Sequence, residues 1–372
     1  METTLRWIGF ALGVILAFGT VIAVMKTLIV PRRSWSFLSA AVGRGGYRVF
    51  HGIAVRFRSF DTADRFLGFL APTVVILILV ALLGAFWLAF ALMLLPWADL
   101  TVGEAIREAG SSVFTLGFVS SDTPVPTFLD VLAGATGMIF VALTIGYLPT
   151  LYAEVRHRET LVKQLEVWTG KPSWGPEILA RFTLVGALDR LPALFVSWDG
   201  WCARVGDSHM KSPVLTQFRG PRARNHFVLA LLGVADAAAL DATLRPSVDR
   251  TDALLLLRQA TSCLRDVAYP MRRINIDETD PGIGRSDFNE GYDRLVEVGY
   301  PVERTADEAW TVFAETRSAY SGIAYQILFW TIAPPAPWSG ERDGFPGITD
   351  RPDAPASWSV GMGSSATSAT SA

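Results

Sequence analysis

The chain has 372 residues and a formal net charge of -2, with 51% hydrophobic and 18% charged residues. Ordinary soluble domains carry about 25% charged residues, so this composition argues against one and predicts membrane segments. Two cysteines are too few for a disulfide scaffold.

Three charge-free runs, residues 7–25, 66–97 and 131–153, are long enough to cross a bilayer as helices, which takes roughly 17–25 residues. For the first run a cleavable signal peptide is the alternative. Its basic residues follow rather than precede it, which favours a retained span. Segments rich in Lys and Arg follow the first and third runs, and such segments stay cytoplasmic. We therefore predict a multi-pass protein of the plasma membrane, with its N-terminus outside and its C-terminal domain in the cytoplasm.

The stretch between the second and third runs carries the strongest functional signal. Thr101 and Glu104 have the spacing of a capping box, which predicts a short helix. After it comes the string Thr115-Leu116-Gly117-Phe118. A short helix and a loop between two spans are typical of a re-entrant pore loop, because irregular backbone at membrane depth survives only inside protein or beside a wet cavity. There its carbonyls can replace the water around a cation, and the helix points its negative end at that cation.

Residues 66–158 resemble the two-helix pore module of the potassium channel superfamily. The string at residues 115–118 stands where that family has Thr-Val-Gly-Tyr. The family continues with Gly-Asp, whereas this chain has Val119-Ser120-Ser121-Asp122. The resemblance implies a homotetramer that conducts a monovalent cation, K+, through one central pore, with Asp122 at the outer mouth. Its selectivity filter would be formed by Thr115, Leu116, Gly117, Phe118 and Val119.

Glycines and a proline interrupt the third run. Gly137 lies 20 residues after Gly117, and the resemblance implies that the inner helix bends there. Pro149 removes a backbone hydrogen bond and is expected to kink the inner end of the helix. The alternative for the glycines is close packing between membrane helices, which small residues permit.

Acidic residues dominate residues 98–127, where Asp99, Glu104, Glu108 and Asp122 stand against the single Arg107. One interpretation is an acidic vestibule that concentrates cations at the pore mouth. The other is that loops outside the cytoplasm simply lack Lys and Arg.

From residue 160 onward, charges return and apolar residues take helical spacing, which predicts an all-α cytoplasmic domain. Its longest predicted helix covers residues 305–330. The predicted organisation is a first span (1–30), a basic linker (31–65), a pore module (66–158), the helical domain (159–340) and a disordered tail (341–372).

Arg219, Arg222 and Arg224 cluster just before an apolar helix of this domain. Guanidinium groups beside a helix N-terminus can hold a phosphate, such as a lipid headgroup or a nucleotide. The alternatives are a solvated basic loop and salt-bridged core contacts.

The sequence therefore predicts an all-α membrane protein with three spans, a re-entrant pore loop and a cytoplasmic domain open to an unidentified small-molecule or lipid regulator. Potassium-channel-like conduction is the leading hypothesis. The alternative is a membrane-tethered sensory or scaffold protein on a channel-derived fold that no longer conducts, a hypothesis that Val119 motivates. Because the four histidines do not pair at metal-ligand spacing and no catalytic constellation is found, we expect no enzyme activity, no metal site, no cofactor and no nucleic-acid partner.

Overall fold

The structure is a computed structural model that describes residues 2–29, 36–57, 59–97, 100–170, 172–222, 225–269, 271 and 282–340. Within these ranges the chain forms helices and no β-strand, which confirms the predicted all-α class. The tail predicted to be disordered lies outside the described residues. Among the described residues, four helical stretches are long and apolar enough to cross a membrane: Thr3–Ile29, Phe60–Leu94, Pro124–Thr169 and Phe227–Leu244.

The described chain divides into two compact units. The first comprises mainly Met1–Arg158 and Arg204–Arg219, and the second mainly Glu159–Ala203, Gly220–Ala268 and residues from 282 onward.

The first unit begins with four α-helices: α1 (Glu2–Val24), α2 (Phe37–Ala54), α3 (Phe60–Leu67) and α4 (Leu70–Leu94). It is built around α4, which is apolar on all sides. Helix α1 runs antiparallel to α4, so that the start of α1 meets the end of α4. Arg6 donates to the Leu95 carbonyl (3.2 Å), and the Trp7 and Trp97 rings lie 5.1 Å apart. Gly13 permits this packing, since a Cβ there would stand 2.7 Å from the Ala89 carbonyl oxygen.

The basic segment predicted as a linker is largely helical, because it contains α2 and most of α3. Ser36 caps α2, its hydroxyl accepting the Ser39 amide at 3.1 Å. The charge pattern predicted a cytoplasmic location for this segment, which stays a prediction, and it did not predict the helices.

Two further helices complete the predicted pore module: α5 (Val102–Val113) and α6 (Pro124–Thr169). Helix α6 has 46 residues, or ~69 Å at 1.5 Å per residue. It runs through Gly134, Gly137, Gly146 and Pro149 without ending.

A buried arginine of α6, Arg158, holds this helix in place. Arg158 is only 1% exposed. Its guanidinium donates to the Leu215 carbonyl (2.9 Å) and the Phe218 carbonyl (2.7 Å), and lies 3.2 Å from Nε2 of His209. Burial and the nearby Arg158 charge lower the pKa of His209 to about 3, so the ring is neutral at neutral pH. Nδ1 of His209 then donates to the Val205 carbonyl (2.9 Å), and Nε2 is left to accept from Arg158.

The second unit surrounds one buried helix. Its helices are α7 (Gly175–Leu184), α8 (Leu191–Lys211, which begins in this unit), α9 (Phe227–Leu244), α10 (Thr251–Ala268), α11 (Arg285–Glu297), α12 (Ala306–Ser318) and α13 (Ser321–Trp330). Every residue of α9 is buried, and α7, α10, α12 and α13 all pack against it. A helix that is apolar all round needs such a cover, either from protein or from lipid.

An ion pair crosses the core of the second unit. Both oxygens of Asp236 on α9 accept from Arg317 on α12, at 2.9 and 3.1 Å, and Oδ1 also accepts from the Tyr320 hydroxyl at 2.7 Å. The helix predicted over residues 305–330 is interrupted between α12 and α13, at Ala319 and Tyr320. The helical spacing of the apolar residues did not indicate this break, beside which Arg317 and Tyr320 reach the same carboxylate.

Candidate functional site

The predicted capping box starts α5. The Thr101 amide donates to Oε2 of Glu104 (2.8 Å), and the Glu104 amide donates to the Thr101 hydroxyl (3.3 Å), which confirms the prediction. With 12 residues, α5 is ~18 Å long, too short for the ~30 Å hydrocarbon core of a bilayer. It lies in sequence between two helical stretches that are long enough.

A Schellman motif ends α5 at the predicted filter string. The Leu116 amide donates to the Ser111 carbonyl (2.8 Å), and the Thr115 amide donates to the Ser112 carbonyl (2.9 Å). Thr115 takes the left-handed position at φ 55°, where glycine is usual and a β-branched residue is disfavoured. Gly117 also has a positive φ, of 68°. The loop therefore turns sharply as soon as it leaves the helix.

Ser111 holds both ends of this loop. Its backbone carbonyl accepts from the amides of Leu116 (2.8 Å) and Gly117 (3.3 Å). Its buried hydroxyl donates to the Val119 carbonyl (2.8 Å) and accepts from the Val119 amide (3.0 Å). One serine thus fixes residues 116–119 against the last turn of α5.

The side chains of the loop face outward in the single chain. Leu116 is 63% and Phe118 is 55% exposed, and Asp122 is also exposed. Arg107 lies over the Phe118 ring at 5.5 Å from its centroid, a cation–π contact.

Helix α5 is clamped between α4 and α6. The Trp87 indole of α4 donates to the Ile106 carbonyl (2.8 Å) and lies 3.2 Å from the position of a Cβ on Gly110. On the other side, a Cβ on Gly137 of α6 would stand only 1.9 Å from the Val113 carbonyl oxygen. Gly137 therefore permits close packing of α6 against the end of α5, which was the alternative to a hinge in the sequence interpretation.

The five residues predicted to form a filter are consecutive in this one loop, and Asp122 follows before α6 begins. Pro149 lies 12 residues beyond Gly137 on α6, or ~18 Å along the helix. Sequence reasoning missed Ser111 and Asp130, because neither residue is part of a recognisable spacing pattern. It also placed Glu108 among the vestibule charges, whereas Glu108 is buried.

The predicted arginine cluster is partly engaged in ion pairs. Arg219 pairs with Asp64 in the first unit, and Arg222 pairs with Glu166 in the second. Arg224 lies outside the described residues. Arg219 is largely buried in its ion pair, as in the salt-bridged core alternative, whereas the Arg222 side chain is half exposed. A phosphate site at these arginines stays a prediction.

Replacing Ser111 with alanine is expected to release the loop. The Val119 amide and carbonyl would each lose a hydrogen bond, at about 0.5–1.5 kcal/mol apiece. Hydrogen–deuterium exchange of the amides in residues 115–121 should accelerate roughly tenfold while the rest of α5 is unchanged. Ser120→Ala is the matched control, because Ser120 is exposed and lies in the same loop. Equal exchange in the two variants would contradict the role assigned to Ser111.

No group of three or more His, Cys, Asp or Glu side chains that could hold a metal is found in the described ranges. Comparison with models of known protein families, with curated proteins and with solved structures finds no match to this chain.

Proposed function

We propose that this chain is one subunit of a potassium-channel-like cation channel, in which ions pass through a homotetrameric pore. One observation carries the proposal: a helix too short to span a bilayer is clamped between α4 and α6, and an exposed, tightly turned loop follows its C-terminal end. No cofactor is required, and the permeant ion is a monovalent cation, K+.

The loop has the chemistry to attract a cation. The C-terminus of α5 carries partial negative charge, and the predicted filter begins two residues after α5 ends. Backbone carbonyls of residues 115–118 would supply the coordinating oxygens, as carbonyl rings do in potassium filters. Asp122 adds a negative charge just beyond the loop.

One loop cannot surround an ion, so several copies must meet. Leu116 and Phe118 are large apolar side chains left exposed in the single chain, and exposed apolar patches commonly mark interaction sites. Closed rotational symmetry is the usual arrangement of identical chains. Four subunits around one axis would cover these side chains and bring four loops together.

Of the four apolar helical stretches, we assign three to the membrane. Helix α9 is completely covered by protein in the second unit and therefore does not need lipid. On this assignment the N-terminus would lie outside the plasma membrane and the second unit in the cytoplasm, with α2 and its Arg44 and Arg48 on the cytoplasmic side. The cytoplasmic unit is then available to a small-molecule or lipid regulator.

Ion flux through purified protein in liposomes tests the proposal. Liposomes loaded with potassium chloride are diluted into sodium chloride, and potassium release is followed with an ion-selective electrode. Release faster than from protein-free liposomes is expected. Absence of release from liposomes that contain folded, inserted protein would refute conduction.

Gly117→Ala is expected to reduce this flux without preventing insertion. At φ 68°, an L-residue costs roughly 1–2 kcal/mol, which corresponds to roughly a five- to thirtyfold change in population. Gly103→Ala is the matched control, because Gly103 lies in α5 with no atom within 4 Å of an added Cβ. Undiminished flux in Gly117→Ala would remove the filter assignment.

A second function is favoured by the hydrogen bonding of the Val119 backbone. Its carbonyl already accepts a hydrogen bond from the Ser111 hydroxyl. On that observation, the chain would be a non-conducting, membrane-tethered sensory or scaffold protein. A monomer or dimer by native mass spectrometry in detergent, together with absence of flux, would favour this second function.

A further inference from the structure

A buried carboxyl group, that of Glu108, and a half-buried one, that of Asp130, face each other between α5 and α6. Glu108 is 2% exposed, and its carboxyl lies within hydrogen-bonding reach of the Asp130 carboxyl. Oε1 of Glu108 and Oδ2 of Asp130 are buried and have no donor among the described residues. The other oxygen of Asp130, Oδ1, accepts from the Ser112 hydroxyl at 2.6 Å.

No positive charge compensates this pair within the described helices around it. Helix α4 has no charged residue. On α5, Glu104 is exposed and engaged with Thr101, and Arg107 points to the Phe118 ring. On α6, the titratable group nearest in sequence is Tyr147, 17 residues beyond Asp130. Arg107 is also the only Lys or Arg between residues 66 and 155.

A shared proton accounts for both unsatisfied oxygens. Two ionised carboxylates in contact repel strongly where water is excluded, so one of them retains its proton. That proton turns one carboxyl into a hydrogen-bond donor to the other.

We propose that Glu108 and Asp130 form a proton-binding site that ties α5 to α6 directly behind the loop. With the proton bound, the two carboxyls bridge the helices beside the Ser112–Asp130 hydrogen bond. When hydroxide removes the proton as water, two negative charges remain between the helices and push the end of α5 away from α6. The loop moves with them, because it is anchored on Ser111 next to Ser112.

The effect on ion flow rests on the proposed channel function, whereas the bound proton does not. If the chain conducts, flux falls as rising pH removes the shared proton, by up to roughly tenfold per pH unit for one proton. Glu108→Gln replaces the shared proton with an amide N–H that does not titrate, so its flux is expected to be nearly independent of pH over the same range.

Infrared spectroscopy of the full-length protein in liposomes tests the proton directly. A protonated carboxyl has a carbonyl-stretch band separate from that of carboxylates, and the band shifts in heavy water. The wild type minus Glu108→Gln difference spectrum should contain one such band, which disappears at alkaline pH. Asp130→Asn should remove the same band and serves if Glu108→Gln fails to insert. Glu104→Gln is the matched control on the same helix and should leave the band unchanged.

The outcomes separate the two proposals. A band that is lost in both variants supports the proton site even when wild-type liposomes show no flux, a result that would refute conduction alone. Absence of any band difference in both variants would overturn the proton site. A band that is lost while flux has the same pH dependence in wild type and Glu108→Gln would overturn the coupling to the loop.

Discussion

Removing the carboxylate of Asp236 should give the largest loss of stability in the second unit. Asp236 and Arg317 are both buried, and Asp236→Ala leaves the guanidinium without its counter-ion in the core. Breaking a buried pair from one side typically costs about 3–5 kcal/mol. The thermal unfolding midpoint of the detergent-solubilised protein, followed by circular dichroism, should fall clearly.

The control for Asp236→Ala is an exposed ion pair on a neighbouring part of the same unit. Asp307 pairs with Arg285, and its side chain is almost fully exposed. Surface pairs contribute about 0–1 kcal/mol, so Asp307→Ala should leave the midpoint nearly unchanged. Similar midpoints for the two variants would mean that the Asp236–Arg317 pair does not hold this core together.

Gly137→Ala is expected to have the largest effect in the first unit. The added methyl would stand 1.9 Å from the Val113 carbonyl oxygen, which is backbone and cannot rotate away. Helix α5 must then move off α6, and overpacking of this kind costs about 1–3 kcal/mol. The variant should lose thermal stability in detergent, and the exchange protection of residues 111–119 should fall with it.

Gly146→Ala provides the comparison for Gly137→Ala. Gly146 lies on the same helix with nothing within 4 Å of an added Cβ, so alanine there should be neutral or stabilising by up to about 1 kcal/mol. If Gly137 acted only as a hinge, the Gly137→Ala variant would instead have wild-type stability and altered conduction. The bend at Gly137 and the kink at Pro149 remain predictions.

Much of the fold follows from patterns that act over many residues. Long charge-free runs predicted α1, α4 and the first half of α6, and the spacing of Thr101 and Glu104 predicted the start of α5. These features depend on average polarity or on a local hydrogen bond, and both can be predicted from residues that are close together in the sequence.

The details of the candidate site do not follow from such patterns. Ser111 and Glu108 have their roles because α5 ends at Val113 and packs against α6, and neither fact has a local sequence signal. Val119 could be identified as a departure from the family string, but not as a residue whose backbone is bonded to Ser111. Likewise, no local pattern in the sequence pairs Asp236 with Arg317 and Tyr320, which contact its oxygens in the structure.

The contacts of Arg158 couple α6 mechanically to the stretch from Val205 to Phe218. The Arg158 guanidinium donates to the Leu215 and Phe218 carbonyls and contacts His209. A shift of α6 at Arg158 therefore moves the stretch from Val205 to Phe218 with it. Linkage between sites is reciprocal. A molecule that binds this stretch more tightly in one position of α6 must therefore stabilise that position. The stabilisation equals the gain in binding free energy between the two positions.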